Sequence, residues 1–209
     1  MLFIYSGYRI FFGVLQMAIK TGAGVIPFAW VDGTACFLFH KTFSGRRAGL
    51  VVDFGGGSQA GETQYQTAAR EFVEETESMF FADNCNDCSD TRMQMESQYQ
   101  LMLQLIENTQ RLHPQWYCRR GSVKADKLRD WKTYFVEVEY RDPGEMNTAW
   151  AEDKHGRFKK RRELLWLSAE QLLDIFDNRP ETLWTRVREL EGASDIVRSI
   201  AAEVETTTF

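Results

Sequence analysis

The sequence is short of the features that mark secreted, membrane-spanning or nucleic-acid-coating proteins. Four cysteines among 209 residues are too few for the disulfide frameworks of small extracellular domains, so a reducing compartment, the cytoplasm, is the expected setting. Long apolar runs are missing as well. The stretch from Ile10 to Ile19 is about half of the roughly 20 residues that a membrane helix needs. Basic charge is not in excess: 25 Lys and Arg face 30 Asp and Glu, for a formal net charge of −5. That balance argues against a surface that binds nucleic acid at large. No internal repeat and no low-complexity tract interrupts the chain. With 44% hydrophobic residues, six Trp and fifteen Phe, there is ample apolar area for one globular domain. Residues 1–20 carry no acid and only Arg9 and Lys20 as basic residues, and no convincing cleavage site follows them. They read as an appended or processed segment, either an organelle-targeting leader or the residue of an upstream start before Met17, ahead of a domain at 21–209.

What is present centres on residues 56–78, GGSQAGETQYQTAAREFVEETES. Wound as a helix at about 100° per residue, Glu71, Glu74 and Glu75 fall within an arc of roughly 100°. Tyr65, Ala69, Phe72, Val73 and Thr76 fall opposite, on the side that would bury against a sheet. Like charges at this spacing destabilise a helix unless something offsets them. Mg²⁺ does so: it takes hard oxygen ligands, keeps several waters and is commonly shared between carboxylates and substrate phosphates. Gly55, Gly56 and Gly57 point to the same substrate class, because glycine lets the main chain approach a ligand closely and a helix start behind such a turn offers free N–H groups to an anion. The run therefore reads as a loop and helix that hold metal and phosphate together.

In spacing, Gly56, Glu62, Arg70, Glu71, the hydrophobe Phe72, Glu74 and Glu75 resemble the signature box of the Nudix hydrolases. The resemblance covers 23 residues closely and departs at its end, where Glu77 and Ser78 stand in place of a glycine and an aliphatic residue. A glycine there would cap the helix in the left-handed conformation, so its loss predicts that the helix runs on or ends differently. The resemblance implies an α/β/α sandwich with a mixed sheet and hydrolysis of a nucleoside diphosphate linked to a further moiety. The expected metal is Mg²⁺ or Mn²⁺, with Glu71, Glu74 and Glu75 as ligands and the Gly55 carbonyl as a fourth. Arg70 is assigned to orienting a glutamate, because an i,i+4 pair with Glu74 is ready to form, and Glu62 to positioning the loop and helix. For the general base the resemblance leaves two kinds of candidate, the box residue Glu71 or an acid of a later loop, here Glu163 or Glu152. A catalytically lapsed binding module of the same fold is the competing reading.

Elsewhere, Asp32-Gly33 between two apolar runs signals a hairpin, and Gly49–Phe54 fits a buried strand feeding the glycine turn. Residues 80–121 read as a mainly helical insertion with a stripe of Met95, Tyr99, Met102, Leu103, Ile106 and Leu112. Cys85, Cys88, His113 and Cys118 have a weak zinc-site spacing, with ordinary loop cysteines as the favoured reading. Lys132–Tyr140 alternates as a strand, residues 141–162 read as a polar connection, and Glu163–Leu167 as a strand. Ser168 to Gln171 opens a helix with a capping box, and a last helix over about 180–203 breaks near Gly192. The basic run 157–162 includes Lys159 and Arg161, which steer a polyphosphate if they overhang the site. The expected ligand is a small phosphorylated molecule: a nucleotide, a dinucleotide polyphosphate, an inositol pyrophosphate or a 5′-phosphorylated or capped RNA, the last not favoured by the net charge.

Overall fold

The alternation of apolar side chains along the strands is two-sided, and this dictates a sheet covered on both faces. The computed structural model describes residues 20–83, 92–120, 129–154 and 156–207; the candidate leader and both Cys85 and Cys88 lie outside them. The strands are β1 (Lys20–Val31), β2 (Thr34–Thr42), β3 (Val51–Val52), β4 (Phe54–Gly57), β5 (Tyr117–Arg119), β6 (Arg129–Glu137) and β7 (Arg162–Ser168). They form one sheet in the order β3-β2-β1-β6-β5, with β4 pairing β1 and β7 pairing β2. Only β1 and β6 run parallel; the other pairings are antiparallel. The sheet is thus mixed.

The helices are α1 (Gln64–Glu75), α2 (Arg92–Leu112), α3 (Gly144–Ala151), α4 (Ala169–Asn178), α5 (Thr185–Arg188) and α6 (Ala193–Thr207). On one face, Phe72 and Val73 of α1, Met102 and Ile106 of α2, and Met146 and Trp150 of α3 pack with Val25, Leu38 and Tyr134. On the other, Leu172 of α4, Val187 of α5, and Val197 and Ile200 of α6 pack with Ile26, Phe37 and Phe135. Val25 and Ile26, and likewise Tyr134 and Phe135, enter opposite cores, as the period of two requires. The result is an α/β/α sandwich.

Most expected elements are present, and the differences have local causes. The hairpin turns at Asp32 and Gly33, both in the left-handed region (φ 48° and 77°), and joins Val31 to Thr34 in register. The segment expected as an insertion is part of the layers: α2 buries Met102 and Ile106 against α1 and the sheet, and β5 extends the sheet beyond β6. Leu112, counted in the stripe, is instead exposed. The supposed polar connection contains α3. Its Met146 and Trp150 lie four apart and both reach the core, and Asp142 Oδ1 accepts the Gly144 N–H at the helix start. Asn147 then covers the outer strand β7, accepting from Leu164 N and donating to Leu164 O. The last helix is in two pieces, broken at Gly192 (φ 74°).

Candidate functional site

The turn and helix at the centre are tied together from both ends. Thr63 caps α1, with Thr63 Oγ1 accepting from Gln66 N and the Gln66 side chain accepting from Thr63 N, a reciprocal pair. Glu62 closes the preceding loop: it accepts from Gln59 N at 2.7 Å and from Thr67 Oγ1 at 3.1 Å. Arg70 reaches across. Its Nε donates to Glu62 at 2.7 Å, Nη1 to Glu71 at 2.7 Å and to Glu74 at 3.3 Å, and Nη2 to the Gly57 carbonyl at 3.0 Å. One guanidinium therefore gathers three carboxylates, and its hydrogen bonds to them hold its proton still more tightly than usual. The same bonds keep Glu62 below the usual carboxylate range. Arg70 orients the glutamates as expected, with Glu62 and Glu71 as closer partners than Glu74. A Cβ at position 56 would lie 2.3 Å from the Glu71 carboxyl carbon, so any other residue there displaces the Glu71 carboxylate from its place on Arg70.

The helix stops at Glu75 despite the missing glycine. The Glu77 N–H closes on Glu74 O and the Ser78 N–H on Val73 O, the double closure of a Schellman cap. Glu77 and Ser78 sit in the left-handed region, with φ of 51° and 58°. The expectation that the helix would run on or end otherwise is therefore corrected: the cap geometry is kept at a cost of about 1–2 kcal/mol per residue in backbone strain. Contacts on the Glu77 carboxylate offset it, for Glu77 Oε1 accepts from Lys159 N at 3.2 Å and Arg162 Nη1 at 3.3 Å.

Beyond Glu75 lies the β3–β4 segment, which pairs β2 through β3 and β1 through β4, and side chains from both layers reach it. Glu75 Oε2 accepts the Gly55 N–H at 2.8 Å. Arg186 of α5 donates from Nη1 to Gly55 O at 2.7 Å, from Nη2 to Asp53 O at 2.9 Å and from Nε to Asp53 Oδ1 at 2.7 Å. Gly55 is thus held by an acid on its N–H and by an arginine on its carbonyl. Asp53 is fully buried, and the Arg186 guanidinium also lies 4.6 Å from the Trp131 ring centre. Glu75 Oε1 faces Arg162 at 3.9 Å and Arg47 at 4.0 Å, too far for hydrogen bonds. Burial pushes the Glu75 carboxyl up to about 7 although Arg186 and Arg162 pull it down.

The expected metal can be tested against these residues. Carboxylates suit a hard divalent cation, and of the three expected ligands Glu71 and Glu74 share a single guanidinium, whereas Glu75 accepts from Gly55 N and faces Arg162 and Arg47. Among the described residues no three acidic, imidazole or thiol side chains form a group that could hold a metal ion. In donor chemistry the carboxylates of Glu71, Glu74 and Glu75 suit an ion that takes one or two protein carboxylates and completes its shell with water and phosphate. The Gly55 carbonyl accepts from Arg186 Nη1 at 2.7 Å, which occupies one of its two lone pairs.

Other candidates lie apart. Arg162 turns toward α1. Glu163 is exposed and lines a cavity of about 390 Å³ with Arg162, Phe43, Arg161 and Thr148 of α3. Glu152 is an exposed residue at the end of α3. Lys159 contributes its backbone N–H to Glu77, and the Arg161 guanidinium lies 4.4 Å from the Phe43 ring centre. Of the zinc candidates described, His113 stacks on Trp116 at 3.7 Å and faces Glu203. Burial pushes the Cys118 thiol up to about 12, against the thiolate that zinc requires. Asp53, Arg186 and Arg47 were missed, and Arg162 was noted only as the last member of the basic run 157–162. Asp53 carried a signal, being a lone acid inside the apolar run GLVVDF, where a buried charge needs a partner.

No protein-family model matches the chain. An uncharacterized protein, L534, of Acanthamoeba polyphaga mimivirus is 27% identical over 190 residues, 76% of this chain and 60% of that protein. The chain therefore spans less than two thirds of that relative's length. Similar solved structures include a C. elegans Ap4A hydrolase in a binary complex, 12% identical, with 90% of this chain and 99% of that one covered and a TM-score of 0.47. A NUDIX hydrolase from Alicyclobacillus acidocaldarius is 14% identical, with 93% and 98% covered and a TM-score of 0.47. The NUDIX domain of Shewanella oneidensis NrtR complexed with ADP ribose is 13% identical, with 91% and 90% covered and a TM-score of 0.40. Likeness at these values does not reach what this chain binds or cleaves. Among the described residues no helix is long and apolar enough to cross a membrane.

Proposed function

We propose that this chain is a Nudix-type, Mg²⁺- or Mn²⁺-dependent hydrolase of phosphoanhydride bonds, acting on a small molecule with a diphosphate bridge. The observation that carries the reading is the gathering of Glu62, Glu71 and Glu74 by the single guanidinium of Arg70 beside the glycine turn. Such an arrangement fixes carboxylate oxygens that a helix alone would splay apart by repulsion. Glu71, Glu74 and Glu75 hold the ion. When bound, it neutralises phosphate oxygens and lowers the pKa of a coordinated water.

The chain's own residues do the remainder. Gly56 leaves space for Glu71 to lie flat against the turn. Arg70 and Glu62 keep the turn and the helix in one relative position. Of the base candidates only Glu71 stands in this cluster, and we assign it the proton of the attacking water. The water oxygen bonds to phosphorus, the bridging P–O bond breaks, and the departing phosphate carries the bond pair. The test is a panel of nucleotide, dinucleotide, inositol-pyrophosphate and capped-RNA substrates with Mg²⁺, comparing the wild type with Glu74→Gln. Cleavage of at least one compound by the wild type, lost in the variant, is expected. Equal inertness of both on the whole panel favours the lapsed binding module instead, a reading to which the Arg186 contact on Gly55 O lends weight.

A further inference from the structure

The charges around Glu75 do not balance, and the imbalance has a location. Arg186 is matched by Asp53, and Arg162 is matched by Glu77. Arg47 has no such acid of its own. Its nearest is the shared Glu75, at 4.0 Å from an oxygen that also faces Arg162. With Glu75 engaged on a metal ion, Arg47 is left as an unmatched positive charge. The Arg47 side chain is 38% exposed and its guanidinium lies 5.3 Å from the Trp184 ring centre. It thus stands at the mouth of the site, with its planar group braced on an indole.

The wall behind Arg47 is built for a ligand that is not protein. Arg162 is 7% exposed, yet its Nε has no hydrogen-bond partner. Thr42 Oγ1 is also buried without a partner, and Thr42 stands opposite Arg162 in the β2–β7 register, on the same face. His40, two residues back on that face and fully buried against Phe54, has both ring nitrogens without partners. Buried polar groups are rarely left unsatisfied. Of these atoms the Arg162 Nε–H is a charged donor without a protein acceptor, which an anionic oxygen would satisfy.

We infer that Arg47 and Arg162 form an oxyanion subsite for the phosphoryl group of the substrate that the carboxylate flank does not hold. The inference rests on the proposed hydrolase reading for its placement, and it deepens that reading by naming the residues that recognise the second phosphate. The geometry suits the chemistry: guanidinium forks match phosphate oxygens, and neither arginine is within hydrogen-bond distance of Glu75 Oε1, so donor N–H groups remain for a ligand.

The test uses methylenediphosphonate, a diphosphate analogue whose P–C–P bridge resists hydrolysis, titrated calorimetrically into the intact chain with and without Mg²⁺. Arg47→Ala should weaken binding about tenfold to a hundredfold, the scale of a lost charge-assisted contact. Arg47→Lys, which keeps the charge but not the fork, should fall between the two. Arg198→Ala, on the exposed face of α6, should bind as the wild type does. Unaltered affinity in Arg47→Ala, or no binding by the wild type under either condition, overturns the subsite. A wild type that binds the analogue through Arg47 yet cleaves nothing on the substrate panel supports the subsite while removing the hydrolase reading.

Discussion

Two neighbourhoods along α1 invert one another. Around Arg70, one guanidinium is shared by three carboxylates, Glu62, Glu71 and Glu74. Around Glu75, about one and a half turns further on, one carboxylate faces the three guanidiniums of Arg47, Arg162 and Arg186. The first is rich in negative charge and suits a cation; the second is rich in positive charge and suits an anion. A magnesium diphosphate carries both charges a few ångströms apart, so one helix offers each half of that ligand its complement. The difference also separates stability from binding. The Arg70 group lies near the surface and holds loop to helix, whereas the Arg186 group is buried and holds the β3–β4 segment through Asp53 and Gly55.

The comparison breaks most visibly at Arg186. Arg186→Ala leaves Asp53 buried and unpaired and frees two backbone carbonyls, and should cost about 3–5 kcal/mol of unfolding free energy. Arg198→Ala on the surface should cost less than about 0.5 kcal/mol. Denaturant titration of the two variants checks both, and equal small losses would deny the buried pair its structural role.

A second effect follows from Glu75. Its carboxyl keeps its proton up to about pH 7 in the folded chain and loses it near the ordinary glutamate value when unfolded. The folded state is therefore favoured by this group at low pH, and that contribution is lost as pH rises through 7. Metal-free protein should be about 3 kcal/mol less stable at pH 8 than at pH 4 from this group. Mg²⁺ should restore much of the loss at pH 8, and Glu75→Gln should flatten the slope. A slope unchanged in Glu75→Gln would place the titrating group elsewhere.

Arg70→Lys sharpens the contrast from the other side. A lysine cannot reach Glu62, Glu71 and Glu74 as a fork does, so affinity for Mn²⁺ should fall about tenfold to a hundredfold with little change in the affinity for the diphosphate analogue without metal. Calorimetry of both ligands reads the split; parallel losses would mean that the two neighbourhoods are not separate.

The smallest effect concerns the helix end. Glu77→Gly relieves the left-handed strain but loses the links to Lys159 N and Arg162, whereas Glu77→Ala keeps the strain and loses the same links. Glycine should be the more stable of the two variants by about 1 kcal/mol. Equal midpoints in thermal melts would argue that the cap relaxes when the carboxylate is gone.

The Arg70 neighbourhood was legible in the sequence because its members lie within 19 residues of one another, between positions 56 and 75, and helical spacing alone brings them together. The Glu75 neighbourhood was not, because Arg47, Arg162 and Arg186 come from three distant segments that only the folded sheet edge unites. The same reason explains α3. Asp142-Pro143-Gly144 reads as a turn, and the helix behind it is fixed by Met146 and Trp150 reaching a core formed by other elements. The alternation of β6 was legible because period two is a local property, and in the fold Tyr134 and Phe135 enter opposite cores. At Glu77 local propensity failed because tertiary contacts on its side chain outweigh a backbone preference.

The most direct measurement is product release from a diphosphate-bridged substrate over a Mg²⁺ titration, run in parallel on the wild type and on Glu71→Gln. A saturable rise in the wild type, abolished by chelator and shifted to much higher Mg²⁺ or lost in the variant, is the outcome predicted by a carboxylate-held ion. Cleavage that proceeds in chelator, or an identical titration curve for both proteins, contradicts it.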